Sequence, residues 1–447
     1  MTKSMTSGKP VKLILLFALP LIVGNIFQQF YSMADTVIVG RTIGVNALAA
    51  VGCTGSVSFF ILGFVMGFTS GLSILIAQRF GAEDEEGIRC SFAAGIILSV
   101  ALTIVMTLFA VALVRPAMEL LQTPEEILDD AVSYIRIIFW GIGASVLFNL
   151  GSNTMRALGD SRTPLYFLIF SSALNIALDI FLIVAVKLGT AGAAYATVIS
   201  QGVAAALCFV VMFKKYDILR TSRDDYYWDL RGIGRMLSIG IPMALNYSIT
   251  AIGTMILQSA INVFGSGVVA AFTAASKVSN IATQTMPTMG TAMATYCGQN
   301  LGAGKYERIY HGMKNAFFLS FIAAGLAAAI CCLAGPYMIG WFIKNPSAET
   351  VASAMRYLYI ASIFMLPLAW IFIYRNALQG LNRGIVPMLS GVLELVSRYV
   401  VILFAAKPYG YTGVCFADPF AWLTTGILLI VTYILWKRKM KRNIIHV

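Results

Sequence analysis

Five charged residues, Asp35, Asp179, Lys277, Glu394 and Arg398, stand inside long apolar runs. If those runs cross a bilayer, an ionised side chain at its centre costs about 2.5–3.5 kcal/mol, so each must be paired, wetted or used. Asp179 has a companion, because Asn175 lies four residues earlier and shares its helix face. Thr197 follows beyond the short stretch 187–192, which would hold two runs side by side. Asp35, Asn175, Asp179 and Thr197 together offer carboxylate, amide and hydroxyl oxygens. That set suits a hard cation such as Na+, or a proton shared between two acids. The plainer alternative is that Asn175, Asp179 and Thr197 only satisfy nearby backbone groups.

Glu394 and Arg398 are also four residues apart. They either neutralise each other along one helix or present Glu394 to a cationic solute. A polar stripe at helical spacing, Lys277, Asn280, Gln284, Thr288, Thr291 and Thr295, must face protein or water. A shorter stripe runs through Gln28, Tyr31, Ser32 and Asp35. Gln28, Tyr31, Gln284, Glu394 and Arg398 are therefore the candidate solute contacts. Nothing pairs a nucleophile with a base, and there is no phosphate-binding GxxxxGK[ST] loop, so no enzyme activity is expected. The only histidines are His311 and His446, and the seven cysteines form no CxxC. A zinc site, a disulfide framework and a bound cofactor other than the coupling ion are not expected.

These residues need elements to hold them. The chain has 447 residues, 59% hydrophobic and 12% charged, with mean hydropathy +0.81. A soluble domain carries roughly a quarter charged residues, so the solvent of this chain is lipid. Apolar runs long enough to span occur at about 13–39, 47–77, 91–114, 132–155, 165–186 and 191–213, then at about 237–263, 268–297, 315–343, 351–374, 387–406 and 412–436. The expected fold is an all-α polytopic membrane protein of twelve transmembrane helices. The first run is too long for a cleaved signal, so it is read as a span.

The two sets of six repeat each other at a nearly constant spacing along the chain. Pro20 falls on Pro242, Gly44 on Gly265, Gly159 on Gly380, Pro164 on Pro387, and GTAGAAYAT from Gly189 on GYTGVCFAD from Gly410. The expected organisation is a six-helix lobe at 1–213, a cytoplasmic linker at 214–235, and a second lobe at 236–447. An even number of spans per half makes the repeats parallel. With the N-terminus inside, the cytoplasmic segments carry 23 Lys and Arg against 5 in the outer loops. Both termini should therefore be cytoplasmic, in a multi-pass protein of the cell membrane. The net charge of +12 reports this topology and not nucleic-acid binding. Trp341 and Trp436, at span ends, should sit in the aromatic belts. The partners expected are the lipid bilayer and a small-molecule solute, for a monomer.

At this level of detail the chain resembles the multidrug and toxic compound extrusion (MATE) transporters. The resemblance rests on FQQFYSMADTVIVGRTIG from Phe27, AQRFGAED from Ala77, MRALGDSRTP from Met155, ALNIALD from Ala173, GTAGAAYAT, AASKVSN and GQNLGAGK. It implies two lobes around a cleft, rocking alternating access, and antiport of organic, cationic amphipathic solutes against Na+ or H+. It places the cation on Asp35, Asn175, Asp179 and Thr197. One departure is that no Asp or Glu occurs between Met236 and Ala303, which argues against the acidic second-lobe site of some branches. A lipid or lipid-linked saccharide flippase is the alternative, and it would use Lys277 and Arg398.

Overall fold

A computed structural model describes residues 4–121, 123–222, 224–226, 230–343 and 346–445. Lys3, Arg223, Lys344 and His446, which enter the sequence reading, lie outside the described residues.

The described chain is helical throughout. Its first helices are α1 (Pro10–Thr42), α2 (Val45–Cys53), α3 (Gly55–Gly81), α4 (Glu85–Leu120), α5 (Glu125–Trp140), α6 (Ile142–Ala157), α7 (Arg162–Asp179) and α8 (Gly189–Lys215). Then come α9 (Leu230–Asn262), α10 (Ser266–Ala282), α11 (Thr285–Gly302), α12 (Tyr306–Ala329), α13 (Gly335–Phe342), α14 (Ala348–Ile363), α15 (Met365–Gly380), α16 (Ile385–Cys415) and α17 (Ala417–Ile445). Nine described spans are long and apolar enough to cross a membrane alone, and two bent pairs raise that to eleven. α10 with α11 holds the remaining position of the repeat. Their polar stripe lowers the hydropathy, and it is broken between Ala282 and Thr285 rather than lying on one helix.

Several spans read as continuous are bent, and the breaks have local causes. α5 and α6 meet at 46° across Gly141, and α14 and α15 at 55°. In the second pair Pro367 has no N–H to return to the carbonyl of Ile363. π-helical turns follow α7 at Ile180–Ala185 and α12 at Ile330–Ala334.

Positive-φ positions confirm and correct the repeat. Gly44 and Gly265 share a positive φ, as do Gly189 and Gly410. Gly159 at φ 82° is matched by Asn382 at φ 60°, just beyond the Gly380 that sequence pairs with it. Asparagine is among the few residues that adopt this region without glycine's freedom. The register here is therefore the one that also relates α6 to α15 and Pro164 to Pro387.

The chain forms two compact units. One is Met1–Ser7 with Leu19–Ser248 and Gly302–Gly304, and the other is Gly8–Ala18 with Ile249–Leu301 and Lys305–Val447. The first extends beyond the expected 1–213 because α9 begins inside it. A Cβ on Gly71 would lie 2.5 Å from the Cα of Gly240, and one on Gly67 would lie 2.6 Å from the carbonyl oxygen of Met243. Small residues at four-residue spacing let these two backbones touch. The described part of 214–235 packs on the first unit. Tyr216 and Leu219 are buried in a cluster with Ile88, Phe92 and Met155, and Asp225 accepts a hydrogen bond from Arg89. Of the two belt tryptophans, Trp341 is exposed. Trp436 is buried, stacked on Tyr433 at 5.8 Å.

Candidate cation and solute site

α7 is anchored at its start by an aspartate. Asp160 Oδ1 accepts from the backbone N–H of Arg162 and Thr163 at 2.9 and 3.0 Å. Its Oδ2 accepts from Lys215 Nζ at 2.8 Å and Thr163 Oγ1 at 2.7 Å, and from the Tyr216 hydroxyl. Lys215 and Tyr216 stand at the end of α8, so one carboxylate caps α7 and ties it to α8. Burial alone would raise the Asp160 carboxyl, but the hydrogen bonds from Lys215, Thr163 and Tyr216 outweigh it and hold the group well below the usual carboxylate range. In sequence Asp160 stands within MRALGDSRTP with nothing beside it to mark this role.

Further along the same helix, α7 presents Asn175 and Asp179, both almost fully buried. The π-helical turn begins at the next residue, a distortion that often marks functional sites. α8 brings Thr197 alongside, and α1 brings Asp35 and Tyr31. The Asn175 amide nitrogen donates to Asp179 Oδ2 at 2.8 Å and to Tyr31 Oη at 3.3 Å, while its oxygen accepts from the Thr197 backbone N–H at 3.1 Å and from Thr197 Oγ1 at 3.3 Å. The carboxyls of Asp35 and Asp179 are neighbours. Among the described residues, Asp35 Oδ1 and Asp179 Oδ1 are buried with no hydrogen-bond partner. Two facing carboxyls with orphaned oxygens cannot both stay charged without a proton or cation between them. The four residues chosen from sequence are therefore adjacent, and their chemistry fits a monovalent cation or a shared proton.

Asn175 also lines a pocket of about 220 Å3 within the first unit. Gln28 and Tyr31 of α1, Phe148 and Asn149 of α6, and Gln201 of α8 contribute to its wall, and no charged side chain among the described residues does. Ser145 donates to Gln201 across it. Sequence reasoning finds Gln28 and Tyr31. The amides and serines of α6 and α8 escape it, because they are scattered singly through apolar runs.

Gln284, Glu394 and Arg398 belong to the second unit. Gln284 is half-buried at the break between α10 and α11. Glu394 and Arg398 lie on α16, each about 5% exposed, within a network of four charges. Glu394 accepts from Arg375 at 2.7 Å and from Arg398 at 2.8 Å, and Arg398 also donates to Asp418 at 2.7 Å. The sequence reading counts Arg375 among the cytoplasmic charges and passes over Asp418. Asp418, an acid in an apolar run, carries the same signal that singles out the others. Among the described residues, no three His, Cys, Asp or Glu gather as a metal cluster.

Known proteins resemble this chain along nearly its full length. The MatE family model matches residues 20–181 and 242–404, one match in each half of the repeat. The chain is 30% identical over 402 residues to "Probable multidrug resistance protein YpnP" of Bacillus subtilis (strain 168), covering 89% of this chain and 87% of that protein. It is 25% identical over 435 residues to an FAD transporter of Shewanella oneidensis, covering 93% and 92%. A crystal structure of MATE in complex with MaL6 superposes with TM-score 0.90 at 23% identity, covering 99% of this chain and 100% of that one. A MOP superfamily transporter from Pyrococcus furiosus superposes with TM-score 0.90 at 25% identity, covering 98% and 97%.

Proposed function

The chain belongs to the MatE family of membrane transporters, with twelve membrane-spanning helices in two lobes, and from that premise we propose that it is a secondary antiporter exporting organic solutes in exchange for Na+ or H+. The observation that carries the coupling is the pair of facing carboxyls, Asp35 and Asp179, with Asn175 and Thr197 beside them. When both are charged the two acids repel, and the Asn175 amide donates to Asp179. A cation or proton entering the pair relieves that repulsion. Because Asn175 also walls the pocket, ion and solute read the same amide, which is the contact an exchange mechanism requires.

The solute class we propose is amphipathic organic cations. Tyr31 and Phe148 offer aromatic faces, which attract cations, and the acid pair lies against the same wall. Glu394 we assign to support of the second unit, because two arginines already satisfy it. The same network argues against a flippase that would need Arg398 free for a phosphate. Both termini are proposed to be cytoplasmic, on the asymmetry of Lys and Arg between loops.

The test is dye efflux from proteoliposomes with Na+ and H+ gradients imposed separately. Wild type should export uphill under at least one gradient. Asp35→Asn and Asp179→Asn should each abolish uphill export while eluting as folded protein. Normal efflux by both variants would sink the cation site.

A further inference from the structure

The repeat lets the second unit be read against the first, position by position. In the register that relates α5 to α14 and Pro164 to Pro387, Tyr134 falls on Tyr357 and Asn175 on Arg398. In the register that relates the positive-φ glycines Gly189 and Gly410, Thr197 falls on Asp418. The contacts repeat as well. In the first unit Asn175 meets Thr197, and Tyr134 stands on α5 as Tyr357 stands on α14. In the second, Arg398 Nε donates to Asp418 Oδ1 at 2.7 Å, and the Tyr357 hydroxyl donates to Asp418 Oδ2 at 3.3 Å. The tyrosine is kept, the amide has become a guanidinium, and the hydroxyl has become a carboxylate.

We infer that the second unit carries its own cation site, built from Glu394 and Asp418, and that the Arg398 guanidinium occupies it permanently as a tethered cation. This rests on reading the Asp35–Asp179 set as a cation site. Glu394 and Asp418 grip the guanidinium from two sides. Its Nη1 is buried with no partner among the described residues. That nitrogen faces Gly253, where a Cβ would lie 2.6 Å away. The group is held by charge in a space kept clear for it, rather than by a full set of hydrogen bonds. An exchangeable cation in the first unit has a fixed counterpart at the corresponding place in the second. The chain then has one exchangeable coupling site, although its fold has two equivalent positions.

Removing the tether should expose the site. Arg398→Ala leaves a cavity the shape of a guanidinium beside two acids, so the probe is methylguanidinium, titrated calorimetrically into purified protein. The expected result is one-to-one binding to Arg398→Ala and none to wild type. Binding should persist when Asp35→Asn is added and be lost when Asp418→Asn is added. Persistence with Asp35→Asn separates this site from the first, whose failure would show instead in the efflux assay. Folded Arg398→Ala that binds no methylguanidinium overturns the inference, as does binding that survives Asp418→Asn. If Arg398→Ala does not fold, Arg398→Lys and Arg398→Met decide. The lysine variant should keep the fold by keeping a tethered cation and the methionine variant should lose it, and the reverse order overturns the inference.

Discussion

Asp160 and Asp179 are both buried aspartates on or beside α7, yet their surroundings give them opposite tasks. Asp160 receives five hydrogen bonds, one of them from a lysine ammonium, and needs nothing further. Asp179 has an orphaned oxygen and a second carboxyl for a neighbour, so it needs a visitor. Asp160 therefore works as a fixed anchor, and its pH dependence follows from that. Its folded pKa lies below the unfolded value of about 3.9. Its stabilisation is thus fully present above that value and is lost as pH falls through the folded pKa. Asp160→Asn should cost about 1–2 kcal/mol at neutral pH by weakening the charge-assisted hydrogen bonds from Lys215, Thr163 and Tyr216, since the half-exposed Lys215 keeps part of its hydration. Thermal unfolding of the two proteins should converge as pH drops below 4, and a gap that stays constant with pH would rule out the charged anchor. Asn175→Ala addresses the other aspartate. A tryptophan-fluorescence change specific to NaCl over KCl in wild type, absent in the variant, is expected if Na+ is the coupling ion.

At the scale of helices, glycine and proline positions carry most of what sequence can reveal. They mark the repeat and the number of spans, because a turn or a kink leaves a local sign. The acid pair is legible for a related reason. A carboxylate in an apolar run is costly wherever it sits, so Asp35 and Asp179 announce themselves without a partner being known. What sequence hides is lateral. Arg375 reaches Glu394 from the neighbouring helix α15, and Asp418 reaches Arg398 from α17. No periodicity along one helix encodes which neighbour faces it. The α3–α9 contact is hidden in the same way, although Gly63, Gly67 and Gly71 already spell a close-packing face. That face makes its own prediction. Gly71→Leu must push α3 off the Gly240 backbone, at a cost of about 1–3 kcal/mol from overpacking. The same change at Gly234, where a Cβ would meet nothing within 4 Å, should be nearly neutral. Melting temperatures in detergent would compare them, and equal stability of the two variants would mean that the close approach is not required.

For the molecule as a whole, the number of exchangeable cations sets how steep an export gradient the membrane potential can sustain. Moving one positive charge inward releases about 2.3 kcal/mol per 100 mV. Each tenfold concentration ratio requires about 1.4 kcal/mol. One site, at the Asp35–Asp179 pair, therefore sustains about a tenfold ratio of an uncharged solute for roughly every 60 mV. A monovalent cationic solute leaving in exchange for one cation moves no net charge, so its ratio should not respond to potential and should follow the ion gradient alone. Two exchangeable sites would behave differently, with a tenfold change in the neutral solute for about every 30 mV and a clear response from the cationic one. Proteoliposomes clamped at a series of potassium diffusion potentials, loaded in turn with a neutral and a monovalent cationic dye, measure both slopes. The expected pair is one charge for the neutral dye and zero for the cation. A slope of two charges for the neutral dye would mean that a second site exchanges its cation, which a guanidinium tethered through Arg398 cannot do.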